Sequence, residues 1–204
     1  MAEFRLPGGD IFAGKSGLAL EAELYRQREA QLPITQNWFL SATPILDSGI
    51  DVGQTALRWY VLPIFVTTQL RLAGAMVQVI ATEAGAFVNG GIYRYIEKGA
   101  RFDLIPGTSV RMSTASAGNI KSALSKQPTI LPSRRPYFIV VGCTSVTTAT
   151  FASSSNYHAM TDLWLVKAAA DTLPATFNAA QLSKGPGSAP ISLVYYTVEA
   201  SRIY

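Results

Sequence analysis

Residues 69–95 read QLRLAGAMVQVIATEAGAFVNGGIYRY, and their pattern decides the fold that we expect for the whole chain. In the first half, the apolar residues Leu70, Leu72, Ala75, Val77 and Val79 alternate with a second set, Arg71, Met76, Gln78 and Ile80, which we expect to face outward. This period near two predicts a half-buried strand and not a helix. Residues 82–85 interrupt it, and residues 86–95 form a second run, aromatic and β-branched around Gly90 and Gly91. We therefore predict a hairpin at the centre of a β-sandwich.

Length and composition favour one main domain. The chain has 204 residues, and β-sandwiches of this size are commonly single units. We expect a jelly-roll-like antiparallel β-sandwich over residues 36–204, preceded by a short N-terminal arm and helix over residues 1–35. Charged residues make up only 15% of the chain and hydrophobic residues 49%, a low charge density for a free monomer. This composition predicts a homo-oligomer whose subunits bury part of the apolar surface.

The charge pattern argues against nucleic acid as a partner. The net charge is 17 − 13 = +4, and the basic residues are scattered, Arg134 and Arg135 being the only adjacent pair. A nucleic-acid-binding surface usually has a basic stripe or a recognisable module. The most apolar window, residues 59–66, is too short to cross a bilayer and contains Pro63. No basic region followed by an apolar one opens the chain. We therefore predict no nucleic-acid binding, no membrane insertion and no secretory signal.

The first part of the chain has the features of an attachment element. Residues 1–15 contain one proline and three glycines and show no period, which predicts an extended arm. Ser16 is a candidate cap for a helix over residues 18–30, in which Leu20 and Leu24 stand one turn apart. Such a helix either packs on its own sandwich or docks on a partner. For the second alternative, Leu20, Leu24 and Tyr25 are the candidate attachment residues.

From residue 38 onward, short β signals recur with turn residues between them. This spacing, with almost no helix signal, predicts a sandwich or jelly roll. Residues 144–157, rich in Ser, Thr and Ala, fit either an exposed loop or a strand, and residues 173–190 fit a loop. Besides the central pair, the expected strands cover residues 38–40, 55–61, 64–68, 102–107, 109–113, 120–124, 129–131, 137–143, 163–166 and 191–198.

An ordered set of short motifs resembles a known kind of phage protein. After an alternating strand and the small-residue turn Thr82-Glu83-Ala84-Gly85-Ala86 come four motifs: Gly91-Ile92-Tyr93; Ile105-Pro106-Gly107-Thr108, with a Thr/Ser/Ala/Gly-rich segment behind it; Leu131-Pro132 running into Tyr137-Phe138-Ile139-Val140-Val141; and Leu173-Pro174-Ala175-Thr176-Phe177. This order is similar to the small jelly-roll domains of tailed-phage tail fibres, head fibres and capsid decoration proteins. The similarity covers roughly residues 65–200.

The resemblance implies a virion protein that acts by binding. Members of this kind are usually homotrimers without cofactor or catalytic residues. A tail-fibre or receptor-binding protein would attach to other virion proteins through residues 1–35 and bind a host cell-surface polysaccharide. The alternative is a capsid decoration, head-fibre or baseplate adaptor protein with a purely structural role. A cellular lectin-like module is a third interpretation.

Residues for catalysis or metal binding are sparse. His158 is the only histidine; Asp162 and the serines at 153–155 are near it, but no triad motif accompanies them. Cys143 ends an apolar run, which predicts a small buried side chain and not a nucleophile. One His and one Cys are too few for a zinc site, and no dense Asp/Asn/Gly loop predicts calcium. We predict no enzyme, no metal and no cofactor, although carboxylate spacing alone leaves glycoside hydrolysis open.

Aromatic and polar side chains supply the candidate ligand contacts. Asn156, Tyr157 and His158 lie together in a polar segment and are the predicted ligand-binding residues. The tryptophans, in contrast, sit within apolar runs and are predicted to lie in the sandwich core: Trp38, Trp59 and Trp164.

Overall fold

A computed structural model describes residues 39–41, 50–53, 58–133, 135–144, 148–153, 163–166, 172–184 and 191–198. Within these ranges the regular structure is all β apart from the 3-10 turn Ala179–Gln181, which confirms the predicted fold class. The attachment element over residues 1–35 and its helix lie outside the described residues. The strands are β1 (Phe39–Ser41), β2 (Ile50–Gly53), β3 (Arg58–Val66), β4 (Leu70–Ala81), β5 (Phe87–Ile96), β6 (Arg101–Leu104), β7 (Val110–Ser113), β8 (Gly118–Ala123), β9 (Thr129–Leu131), β10 (Arg135–Cys143), β11 (Thr150–Ser153), β12 (Leu163–Val166), β13 (Thr176–Asn178), β14 (Leu182–Lys184) and β15 (Val194–Thr197).

The strands form two antiparallel sheets with jelly-roll topology. In the front sheet β4 pairs with β8 and β9 along one edge, and along the other with β11, which pairs in turn with β2. In the back sheet the order is β3-β10-β5, and β6 and β7 together form the next strand position. Counted with β8 and β9 as one interrupted strand, β2 to β11 give eight positions divided four and four between the sheets. This is the double Greek key of a jelly roll.

The prediction of a central hairpin is wrong, although both of its predicted strands exist. β4 belongs to the front sheet and β5 to the back sheet, so residues 82–86 cross from one sheet to the other. β5 cannot pair with β4, because later strands occupy both edges of β4. The alternation in the sequence identifies a buried face, but it does not identify the neighbouring strand.

A β-bulge in β4 explains why its apolar positions change phase. Gly74 pairs with Tyr196 of β15 and Leu72 pairs with the next residue, Thr197, so Ala73 is the extra residue. The Ala73 carbonyl accepts a hydrogen bond from the Leu124 amide at 2.9 Å. A bulge moves all later side chains by one position, which keeps the apolar side chains of the whole strand on the inner face.

Two further sequence predictions for the strands are corrected. The predicted pair of strands on either side of Pro63 is one continuous strand, β3. β12 pairs only with residues 58–60 of β3, so Pro63 lies beyond this pairing, where a missing amide hydrogen costs least. Residues 173–190, expected to form a loop, include β13 and β14. The open alternative for residues 144–157 is decided for its middle part, because residues 150–153 form β11.

The main core fills the space between the two sheets. Its side chains come from inward positions of both sheets and are almost completely buried. They include the predicted inward set of β4 and the sulfur of Cys143, which confirms the prediction for that cysteine. Members with the lowest exposure are Leu72, Ala75, Val88, Ile92, Leu131, Ile139, Val141, Cys143, Phe151, Ile191 and Tyr195.

A buried hydroxyl closes the gap between β6 and β7. Both strands pair with β5, and the residues between them turn away from it. Thr108 Oγ1 accepts a hydrogen bond from the Ile92 amide at 3.1 Å and donates one to the Ile105 carbonyl at 2.8 Å. Tyr195 in the other sheet donates to the Thr108 carbonyl at 2.9 Å. The break in the ladder therefore leaves the Ile92 amide satisfied in the core.

The back sheet also buries its second face, because it curls into a closed, barrel-like tube. β13 pairs with β6 at one end of the sheet, and β14 pairs with β12 at the other. Only residues 179–181 separate β13 from β14, so the two ends lie within about 14 Å of each other. Among the residues that the structure describes, the buried side chains of this interior are Trp59, Val61, Tyr93, Phe102, Phe138, Val140, Phe177, Ala179 and Leu182.

Aromatic rings dominate this second core. Phe102 stacks on Phe177 with ring centroids 4.7 Å apart, and Phe138 meets Phe102 edge-on at 4.9 Å. Trp59 is 1% exposed, which confirms its predicted core position. Trp38 lies outside the described residues, and the structure describes only the backbone of Trp164, in β12.

We predict that Phe177→Ala lowers the free energy of unfolding by about 3–5 kcal/mol, because it leaves a cavity beside the rings of Tyr93 and Phe102. Thr176→Ala, on the same strand and exposed, is the matched control and should change it by less than about 1 kcal/mol. Urea unfolding followed by far-UV circular dichroism measures both. Equal effects of the two substitutions would contradict the description of Phe177 as a core residue.

Stability should fall at alkaline pH because of two buried phenols. Burial raises the pKa of Tyr93, and burial with a contribution from the Tyr93 phenol raises that of Tyr195. Above about pH 10 the unfolded chain loses these protons while the native chain keeps them, so the free energy of unfolding falls by up to about 1.4 kcal/mol per pH unit for each phenol. Urea titrations from about pH 8 to about pH 11 measure this slope. Tyr195→Phe should reduce it by the share of one phenol, and an unchanged slope would contradict the prediction.

Candidate functional site

The structure does not describe the residues that the sequence singled out for binding. Asn156, Tyr157 and His158 lie outside the described residues, between the end of β11 and the start of β12. The candidate attachment residues Leu20, Leu24 and Tyr25 also lie outside them. Both assignments stay predictions.

The described residues supply no metal site. No group of three or more His, Cys, Asp or Glu side chains there could hold a metal ion. Arg101 Nε lies 3.0 Å from Asp103 Oδ1, so this carboxylate is already paired. The thiol of Cys143 is fully buried. Across the same ranges, no helix combines the length and apolarity needed to cross a membrane.

The most highly organised surface lies at one end of the sandwich, which we call the threonine end. It consists of the turn at residues 82–86, the loop at residues 114–117, and residues 144 and 148–150. These segments connect β4 to β5, β7 to β8 and β10 to β11. Each connection crosses between the sheets, so this end holds the sheets together.

Thr114 clamps the first turn. Its amide donates to the Ala86 carbonyl at 3.1 Å, and its carbonyl accepts from the Glu83 amide at 3.0 Å. Its hydroxyl donates to the Glu83 carbonyl at 2.7 Å, and Thr114 itself is fully buried. Thr114, at the start of the neighbouring loop, therefore satisfies backbone polar groups at both ends of the turn.

Glu83, Thr144 and Thr150 connect the segment at residues 144 and 148–150 to the first turn and its flanking strands. Glu83 Oε2 accepts hydrogen bonds from the amides of Thr148 at 3.0 Å and Ala149 at 3.2 Å. Thr144 and Phe87 exchange two bonds, since the Phe87 amide donates to Thr144 Oγ1 and the Thr144 amide to the Phe87 carbonyl, both at 2.9 Å. The Ala81 amide donates to Thr150 Oγ1 at 3.1 Å. Because the acceptor Glu83 is a charged carboxylate, its two hydrogen bonds from backbone amides are stronger than bonds to a neutral acceptor.

The outer surface of the threonine end is small and polar. One side carries Arg111, whose guanidinium carbon lies 4.0 Å from the centre of the Phe87 ring, a cation–π contact. This surface offers amides, hydroxyls and one cation, which suits hydrogen bonding to a polyhydroxylated ligand, and its described carboxylate, Glu83, is engaged with the amides of Thr148 and Ala149. The exposed residues are Thr82, Ala84, Gly85, Ala115, Ser116, Ala117 and Thr148.

Sequence reasoning did not find this site. The small-residue character of the loops is visible in the sequence, but their contact joins residues more than 60 positions apart, such as Glu83 and Thr148. The available signal was a threonine at or next to the end of several strands: Thr114, Thr144 and Thr150. Side chains of this type often bond to nearby backbone groups.

Comparison with protein-family models, with curated proteins and with solved structures finds no match to this chain.

Loss of the Glu83 carboxylate should release the third segment. We predict that Glu83→Ala lowers the free energy of unfolding by about 1–3 kcal/mol and speeds amide exchange at Thr148 and Ala149 about tenfold or more. Glu97→Ala, in the exposed turn after β5, is the matched control and should change neither. Hydrogen exchange followed by mass spectrometry or NMR measures the effect. Unchanged exchange at both amides would contradict the role of Glu83.

Proposed function

We propose that this protein is a structural protein of a bacteriophage virion. It acts as a homotrimeric tail-fibre or receptor-binding protein, attached to other virion proteins through residues 1–35 and recognising a host cell-surface polysaccharide. The alternative is a capsid decoration, head-fibre or baseplate adaptor protein with a purely structural role. Both assignments place the protein in the virion and give it no catalytic step.

The observation that supports the proposal is that the motifs of the resemblance contact one another. The Ile105 amide donates to the Ile92 carbonyl at 2.8 Å, which joins the second motif to the first. The Tyr93 hydroxyl donates to the Pro174 carbonyl at 2.5 Å, which joins the first motif to the last. The four motifs span more than 80 residues of the chain, and three of them form one unit around β5.

The remaining motif makes a local contact of its own. The Tyr137 hydroxyl donates to the Pro132 carbonyl at 3.2 Å, so Leu131-Pro132 is fixed against the start of β10. β10 in turn pairs with β5 from Phe138 to Cys143. The four motifs therefore pack around β5 and β10 of the back sheet, and Leu131 joins them from β9 of the front sheet.

The physical character of the molecule supports a binding role outside a cell. A jelly roll is an architecture of capsid and lectin domains, and here the loops of one end are fixed by short hydrogen bonds. Fixed loops lose little conformational entropy on binding. Three such ends engaged together bind a repetitive surface much more tightly than a single one, through effective concentration.

We predict that the purified protein binds cells of the phage host and slows adsorption of the phage when added first. A triple Asn156→Ala, Tyr157→Ala, His158→Ala variant should bind about tenfold or more weakly, because it removes the aromatic and polar contacts. Thr176→Ala, remote in sequence and exposed, is the control and should bind like the wild type. A protein that neither binds cells nor slows adsorption would contradict the receptor role.

Copy number separates the two virion assignments. Quantitative mass spectrometry of purified particles should find a few to a few dozen copies for a tail protein. Hundreds of copies, with loss of capsid stability on removal, would favour the decoration protein. Absence from purified particles would contradict both.

A further inference from the structure

Arg111 is fixed at the threonine end without an anionic partner. It lies on β7 and is exposed to solvent. Its guanidinium carbon lies 4.0 Å from the centre of the Phe87 ring. Beyond this contact, Arg111 forms no hydrogen bond or ion pair with the residues that the structure describes, whereas Arg101 is paired with Asp103. The N–H donors along the edge of the Arg111 guanidinium are therefore open to a ligand.

The ring that holds this guanidinium is itself held by the fold. Phe87 is half-buried, and its amide and carbonyl both bond to Thr144 at 2.9 Å. A ring stacked on one face of a guanidinium leaves the N–H donors in the guanidinium plane available. Stacking also restricts the rotamers of the arginine, so the side chain loses less conformational entropy when a ligand binds.

The strand register places the guanidinium close to the loop at residues 114–117. On β5, Asn89 lies opposite Arg111, and Phe87 lies opposite Ser113. The arginine side chain therefore reaches from the level of Asn89 to that of Phe87, about 7 Å toward the end of β7. We call this surface the arginine rim; it consists of Arg111, Ser113 and the exposed residues 115–117, which are Ala, Ser and Ala. Because these loop side chains are small, they leave room for a ligand beside the guanidinium.

The arginine rim has the chemistry of a site for an acidic sugar. A guanidinium binds a carboxylate through two parallel N–H···O bonds. The Ser113 hydroxyl accepts a hydrogen bond from the Ala115 amide at 3.2 Å and keeps its own proton for a second partner. Ser116 adds another exposed hydroxyl. The described carboxylate of the threonine end, Glu83, is engaged with two backbone amides and forms no ion pair with this guanidinium. The rim therefore offers one cation and two hydroxyls to a ligand that carries both an anion and hydroxyl groups.

We propose that the arginine rim binds the carboxylate groups of an acidic polysaccharide, one built from uronic or sialic acids. The inference rests on the polysaccharide recognition in the proposed function, and it adds the charge of the ligand and the side chain that selects it. Arg111 binds the carboxylate, and the two serine hydroxyls bond to hydroxyl groups of the same sugar. An acidic peptide fits less well, because the exposed residues described at the threonine end include no large apolar side chain to receive one.

The test compares the full wild-type chain with Arg111→Gln, which removes the charge and keeps a polar side chain. Arg94→Gln is the matched control, because Arg94 is also exposed and lies on β5 seven residues beyond Phe87, about 23 Å away. The immobilised probes are polygalacturonate and polysialic acid, each as the free acid and as the methyl ester, and polyglutamate. Each ester keeps the sugar chain and removes its charge. Biolayer interferometry measures the affinities, far-UV circular dichroism checks folding, and binding to cells of the phage host is measured in parallel.

The wild type and Arg94→Gln should bind at least one of the two acidic polysaccharides. Arg111→Gln should bind the same polysaccharide about tenfold or more weakly, and the wild type should bind its ester about tenfold or more weakly, because each change removes a charge-assisted pair. Equal affinity for acid and ester, or equal affinity of the wild type and Arg111→Gln, would overturn the inference. Tighter binding to polyglutamate, or binding to host cells but to neither acidic polysaccharide, would overturn it too. Where host cells are still bound, each of these outcomes leaves the proposed function standing. A protein that binds neither the probes nor the host cells would overturn both.

Discussion

The structure depends on a constraint in the back sheet: its central strands bury both faces. In β5, Ile92 points into the main core and its neighbour Tyr93 into the barrel-like tube, and both are fully buried. β10 and β3 repeat this arrangement with Ile139 beside Val140 and Leu62 beside Val61. Where both faces are buried, each such strand is therefore mostly apolar, and each buried polar group on it needs an internal partner. Thr108 and the Pro174 carbonyl provide such partners for Ile92 and Tyr93.

Two glycines follow from the same constraint. A Cβ at Gly142 would come 2.6 Å from the Trp59 ring, and one at Gly91 would come 2.7 Å from Leu104. In a strand with two buried faces, large side chains of neighbouring strands need space that only a glycine leaves. In the pair Gly90-Gly91, Gly91 thus marks a close approach within the tube, and Gly90 marks one in the main core, where a Cβ would meet Leu193.

The sequence was sufficient to predict most of the strands, but it was insufficient to predict which strands pair with each other. Alternation in residues 70–79 correctly predicted a half-buried strand, and the apolar run at residues 137–143 a buried one. Both signals are local, since burial of a side chain depends on its own polarity. Pairing depends on residues far apart, so the pattern could not reveal that β4 and β5 belong to different sheets. The tube escaped prediction because Phe177 closes it from a segment rich in loop residues. For the candidate site, the sequence indicated small polar loops, but it gave no sign that Glu83 joins them.

The path of the chain between β11 and β15 has a mechanical consequence. Both strands lie along the same edge of β4, and the Ser192 amide bonds to the Ala152 carbonyl where one succeeds the other. Between them the chain leaves for the opposite sheet, seals the tube with β13 and β14, and returns. The polypeptide thus passes from the front sheet to the back sheet and returns between two strands on the same edge of β4, so the two sheets are covalently linked at this edge. A domain linked in this way unfolds as a whole and not in parts. This favours slow unfolding and a long lifetime in surroundings without chaperones.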